Sequence, residues 1–111
     1  MISNFEIKCR VWIEKDGVHV IGKGGAQILK ALEEYRSLSK AARALGMSYR
    51  FAWMYINKIE KATGIKVVNR ERGGKEGGRM VLTEEGRKLL RLYEEAEETC
   101  RGAVEKLSKR I

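Results

Sequence analysis

Residues Ser37 to Glu60 read SLSKAARALGMSYRFAWMYINKIE. Leu38, Ala41, Ala42 and Leu45 fall on one helical face just after Ser37, a residue suited to cap a helix that runs through Leu45. Gly46 supplies the left-handed backbone of a sharp turn. Ser48 caps a second helix that runs to about Thr63, and Gly64 ends it. Within it Ala52, Ile56, Ile59 and Thr63 recur at spacings of 4, 3 and 4 and face the core. Tyr49, Arg50, Trp53, Asn57 and Lys61 then face outward, with Met54 and Lys58 at the margin. Phe51 and Tyr55 are assigned to core packing. Two short helices around a Gly turn form a helix–turn–helix, and its second helix, about residues 48–63, is a rigid probe for the DNA major groove.

The charge agrees with that reading. From Arg36 to Leu82 there are 11 Lys/Arg against 3 Glu, an excess of eight that equals the net charge of the whole chain, +8. The remaining sequence holds 12 basic and 12 acidic residues. A basic protein has three usual partners: nucleic acid, an acidic membrane surface or an acidic protein. A surface-seeking membrane helix places its basic residues opposite exposed Trp, Phe or Leu. Here the excess spans two helices, a turn and a Gly-rich loop, which favours nucleic acid.

Working outward, Lys66–Arg70 and Arg79–Leu82 read as two short strands around the Gly-rich tip Glu71–Gly78, ERGGKEGG. A helix–turn–helix followed by a hairpin is a winged helix, with its wing at about 67–82. Thr83 caps a last helix that extends to about Lys109, with Glu84 and Glu85 where the helix dipole favours acids. Leu82, Gly86, Leu89, Tyr93, Ala96, Cys100, Ala103 and Leu107 recur at alternating spacings of 4 and 3, and Leu90 and Val104 widen the seam. So long an apolar face exceeds what one small domain covers, and the excess is read as a dimer interface formed by Leu89, Tyr93, Ala96, Cys100, Ala103 and Leu107. Toward the N-terminus, Phe5, Ile7, Cys9, Val11 and Ile13 alternate with polar residues and Trp12 as in a half-buried strand. Lys15-Asp16-Gly17 turns the chain into a second strand, Val18–Ile21. Gly22–Gly25 breaks it and leads into a helix from about Ala26 to Tyr35 with Ile28, Leu29 and Leu32 inward. The expected fold is therefore mainly α (α+β). One domain comprises an N-terminal β-hairpin (1–22), a winged helix–turn–helix (23–82) and a long C-terminal dimerisation helix (83–111).

Candidate DNA contacts follow from this layout. Arg50 reaches guanine O6/N7 or a phosphate, Asn57 suits adenine, and Tyr49 and Trp53 suit thymine methyls or sugars. Ser37 and Ser48 stand at helix N-termini, whose backbone amides also receive phosphates. Lys58 lies at the margin of the probe, and Arg70, Arg72, Lys75 and Arg79 decorate the wing for phosphate or minor-groove contact.

Other chemistries find little support. Gly22-Lys23-Gly24-Gly25 matches neither nucleotide-loop spacing and is read as a connector, with Lys23 near the DNA backbone as an option. His19 stands alone on its strand, and no carboxylate pair, nucleophile–base set or metal cluster assembles, so neither an enzyme nor a cofactor is expected. Cys9 and Cys100 are far apart and suggest no disulfide framework; Cys100 either packs as a small residue, the favoured reading, or meets its symmetry mate. With no export signal and no apolar run long enough for a bilayer, the expected location is cytoplasmic, without a membrane partner.

Four pieces carry a family resemblance: Ser37-Leu38-Ser39-Lys40-Ala41-Ala42, Gly46-Met47-Ser48-Tyr49-Arg50-Phe51-Ala52-Trp53, Gly73-Gly74-Lys75-Glu76-Gly77-Gly78 and Leu82-Thr83-Glu84-Glu85-Gly86. Together they resemble the N-terminal domain of the molybdate-responsive (ModE-type) regulators, and the winged-helix layout of LysR-type regulators less closely. The resemblance covers roughly Gly24 to Tyr93 and implies a homodimeric transcription regulator that binds double-stranded DNA at a palindromic operator. Arg36 stands where that family usually has Gly, and Arg79 replaces a third wing Gly. The chain ends after the long helix, so the molybdate-binding domain is expected to be absent and molybdate sensing is not carried over. The competing expectation is a protein–protein adaptor that uses the long helix, with the winged helix as scaffold.

Overall fold

The computed structural model describes residues 4–71 and 78–110. Its elements in order are β1 (Ile13–Lys15), β2 (Val18–Ile21), α1 (Lys23–Tyr35), α2 (Leu38–Ala44), α3 (Tyr49–Thr63), β3 (Val68–Glu71), β4 (Arg79–Leu82) and α4 (Glu84–Ser108). β1–β2 and β3–β4 are separate two-stranded antiparallel sheets. The chain is thus a winged helix–turn–helix with a leading hairpin and a long trailing helix.

The local signals act where they stand in the sequence. Ser37 accepts a hydrogen bond from the Lys40 amide at 3.2 Å, Ser48 from Phe51 at 3.0 Å and Thr83 from Gly86 at 2.9 Å, so three helices begin on hydroxyl caps. Gly46 turns between α2 and α3 with φ +68°. Arg36 also adopts a left-handed φ, 54°, and its amide donates to Leu32 O at the end of α1. That conformation accounts for the Gly that the resemblance places there. α1 is central: Ile28, Leu29 and Leu32 are wholly buried, with Ala41 and Ala42 of α2, Ile56 and Ile59 of α3 and Leu90 of α4 in the same core.

Two expectations change. The alternating segment from Phe5 onward does not pair as a strand until Ile13, because β2 is four residues long and its ladder reaches only from Lys15 back to Ile13. Phe5 and Ile7 lie exposed. The Gly-rich connector is instead the first turn of α1, which starts at Lys23. A Cβ on Gly25 would sit 2.9 Å from Ile21 Cγ1, and one on Gly24 3.1 Å from the Tyr55 hydroxyl. These glycines admit close packing of the helix against β2 and α3.

Candidate nucleic-acid interface

α3 lies across the core with Ala52, Ile56, Ile59 and Thr63 buried along its full length. Its opposite face holds Tyr49, Arg50, Trp53, Met54, Lys58 and Lys61, all exposed, and Asn57, half-buried. Phe51 departs from its expected core role. It is 51% exposed and meets Tyr55 edge-on at 5.9 Å, while Tyr55 is half-buried over the glycines of α1. Tyr55 fills the available space beside α1, and Phe51, four residues earlier, is left at the rim. Ser37 is half-buried and Ser48 exposed, both with their hydroxyls engaged as caps.

Three residues tie α3 and the wing to their neighbours through five hydrogen bonds. Glu60, in the last turn of α3, accepts hydrogen bonds from the amides of Val67 (2.9 Å) and Val68 (3.4 Å) at the base of the wing. The Thr83 hydroxyl donates to Lys66 O at 2.7 Å, and the Thr83 amide to Val67 O at 2.9 Å. Lys15 donates to Thr63 O at 2.9 Å, placing a cation at the C-terminal, negative end of α3. Neither Glu60 nor Lys15 was signalled by the sequence. Glu60 reads there as one more surface acid, and its partners lie beyond the helix end, where periodicity carries no information.

The electrostatics follow from pairing. Among the described residues, salt bridges occupy the N-terminal segment, α1 and α4: Lys8–Glu6, Lys30–Glu33, Lys88–Glu84, Arg91 with Glu33 and Glu94, and Arg101–Glu98. On the wing only Arg79 meets a described acid, Glu71, at 3.8 Å and with both side chains more than half exposed. Arg50, Lys58, Lys61 and Arg70 form no ion pair with any described carboxylate. The one acid on α3, Glu60, faces the wing amides. The result is a helix face of large exposed aromatics and of cations without a carboxylate partner among the described residues. Arg70 and Arg79 stand on the β3–β4 stem beside it, while Arg72 and Lys75 lie outside the described residues.

On α4 the apolar seam divides. Gly86, Leu90 and Tyr93 are buried within the chain, and Leu89 and Ala96 are half-buried. Leu92, Ala103 and Leu107 remain exposed. Tyr93, only 4% exposed, has almost no surface to offer another molecule and drops out of the expected interface. Burial, with Glu97 beside it, raises its phenol above the ordinary range. Cys100 is half-buried and its thiol meets that of Cys9 in the same chain. No helix among the described residues is long and apolar enough to cross a membrane.

Residues 25–87, from the first turn of α1 into α4, match the profile of a bacterial regulatory helix-turn-helix protein, lysR family. Azotobacter vinelandii molybdenum transport protein ModE is 32% identical over 85 residues, 77% of this chain and 32% of that protein. The Escherichia coli (strain K12) DNA-binding transcriptional dual regulator ModE is 39% identical over 67 residues, 60% of this chain and 26% of that one. The chain thus spans a third or less of the length of these curated relatives. Among solved structures, Vibrio fischeri DarR in complex with DNA shares the fold, with a TM-score of 0.60 at 16% identity over 80% of this chain and 29% of that chain.

Proposed function

Because the chain belongs to the lysR family of bacterial regulatory helix-turn-helix proteins, we propose that it is a sequence-specific, double-stranded DNA-binding transcription regulator. The observation that carries this reading is the α3 face, whose Arg50, Lys58 and Lys61 have no described carboxylate partner while the ion pairs gather elsewhere. Phosphate contact gives these charges a counter-charge and releases the counterions condensed on the DNA. α3 enters the major groove, where Arg50 reads a guanine edge, Asn57 an adenine, and Tyr49 and Trp53 contact thymine methyls or sugars. Lys58, the N-termini at Ser37 and Ser48, and Arg70, Arg72, Lys75 and Arg79 of the wing engage the backbone. The protein acts in the cytoplasm, is not an enzyme, and needs no cofactor for binding.

A homodimer holds two such faces against a palindromic operator, its half-sites about one helical turn apart. Its interface is the part of the seam that the chain leaves open, half-buried Leu89 and Ala96 with exposed Ala103 and Leu107, and Leu92 beside it. The relatives' names connect them with molybdenum transport and DNA-binding regulation, which supports a regulatory role for this chain and leaves its signal open.

The test is a pair of substitutions. Arg50→Ala should weaken operator binding by about 1–3 kcal/mol and relax specificity at one position, whereas Lys75→Ala should weaken all sequences alike. Equal loss on operator and random duplex for Arg50→Ala removes it as a base reader. No binding to random duplex even at low salt would instead favour an adaptor working through the exposed apolar face of α4.

A further inference from the structure

The sulfurs of Cys9 and Cys100 lie 2.8 Å apart although 91 residues separate them in sequence. Both are free thiols, Cys9 exposed on the segment before β1 and Cys100 half-buried on the second half of α4. That segment has no strand partner until Ile13. Among the described residues, the hydrogen bonds that join it to α4 are the contact between the thiols and one from the Ile7 amide to the Ser108 hydroxyl at 3.3 Å. Between segment and helix runs an open groove of about 1080 Å³, with Cys9 in its wall on one side and Glu97 and Arg101 of α4 on the other. We propose that Cys9 and Cys100 form an intrachain thiol–disulfide site, which on oxidation staples the N-terminal segment to the far half of α4.

A disulfide bond is about 2 Å long, so the two sulfurs need to close by less than an ångström. The oxidant is a low-molecular-weight disulfide. The Cys9 thiolate, the accessible one, attacks it, forming a mixed disulfide and releasing one thiolate, which takes up a proton. The Cys100 thiolate then attacks the Cys9 sulfur, forming the Cys9–Cys100 bond and releasing the second small thiol. Two electrons and two protons pass from the protein to the oxidant. The hydrogen bond from Cys100, with burial and the charges of Cys100 and Glu97 adding, holds the Cys9 thiol above its ordinary range. Exchange therefore starts from a small thiolate fraction and quickens as pH rises. Neither cysteine lies on α3 or the wing, so closure fixes α4 without altering the proposed DNA contacts.

The reduced full chain, incubated with excess oxidised glutathione at mildly alkaline pH, should lose the mass of two hydrogens and both titratable thiols. It should run faster as a monomer on a non-reducing gel. Its thermal midpoint should rise by roughly 5 °C or more over the reduced form, since the closed ring spans most of the chain. Cys9→Ser and Cys100→Ser should each stop at a single glutathione adduct with no gain in midpoint. Two persistent thiols, a lasting glutathione adduct on the wild type, a disulfide-linked dimer, or equal midpoints for the two redox forms would each overturn the proposal.

Discussion

α3 and α4 are built on one plan, a hydroxyl cap followed by an apolar stripe at 3- and 4-residue spacing, yet they end in different situations. The stripe of α3 is buried from Ala52 to Thr63, so the rest of its domain satisfies it completely. That of α4 is buried only from Gly86 to Tyr93, and the remaining four turns extend past the core. Their polar faces differ in the opposite sense. α4 holds more acids than bases and pairs Lys88–Glu84, Arg91–Glu94 and Arg101–Glu98 within itself, while α3 carries cations without described acidic partners. A helix whose apolar side is complete and whose charge is open suits a polyanion. One without surplus cations and with an open apolar side suits another apolar helix, and the seam of α4 fits the proposed pairing with a second copy of itself.

The sharpest way to break this contrast is at the root of α4. A Cβ on Gly86 would lie 2.2 Å from Val67 O, a backbone atom that cannot swing aside. Gly86→Ala should cost about 3 kcal/mol in thermal or urea unfolding, and a neutral result would mean that α4 is not seated on the wing as described. Next comes the open half of the seam. Leu107→Lys should raise the dissociation constant of the proposed dimer at least tenfold by sedimentation while barely changing monomer stability, because Leu107 is 46% exposed. If the monomer unfolds instead, the residue packs within its own chain.

Smaller effects sharpen the comparison. Ser48→Ala should cost about 1 kcal/mol of stability through the lost cap on the Phe51 amide. It should weaken DNA binding no more than that if the hydroxyl is only a cap. The least is expected at the α1–α4 bridge, where the Arg91 guanidinium, 2.7 Å away, holds the Glu33 carboxyl below the usual carboxylate range. A lowered folded-state pKa adds stability above the unfolded value and loses it as pH falls through the folded one. The advantage of wild type over Arg91→Met should thus be small at neutral pH and vanish in acid; an advantage that persists in acid would assign it to packing of the side-chain stem.

The parts legible in the sequence are those decided within a few residues. Ser37, Ser48 and Thr83 mark helix starts, Gly46 and Gly64 mark a turn and an end, and the Ala52–Ile56–Ile59–Thr63 spacing gives the buried face of α3 and hence the outward one. What was hidden depends on partners distant in sequence. Gly24 and Gly25 look like a break until Ile21 and Tyr55 are seen to require their smallness. The alternation from Phe5 to Ile13 asks for a strand, but pairing is limited by the length of β2. No spacing rule brings Cys9 to Cys100, and Phe51 is exposed because Tyr55 already occupies the space by α1.

Glu60 has a consequence for anyone who would re-target this protein. Its carboxylate ties the last turn of α3 to the first residues of the wing, so the helix and the wing meet at one hydrogen-bonded joint. The positions proposed to read bases, Tyr49, Arg50, Trp53 and Asn57, all precede that joint along the helix. They can be exchanged as a cassette while the wing keeps its bearing, whereas a graft that carries foreign sequence through residue 60 would transplant the letters and lose the angle at which they are read.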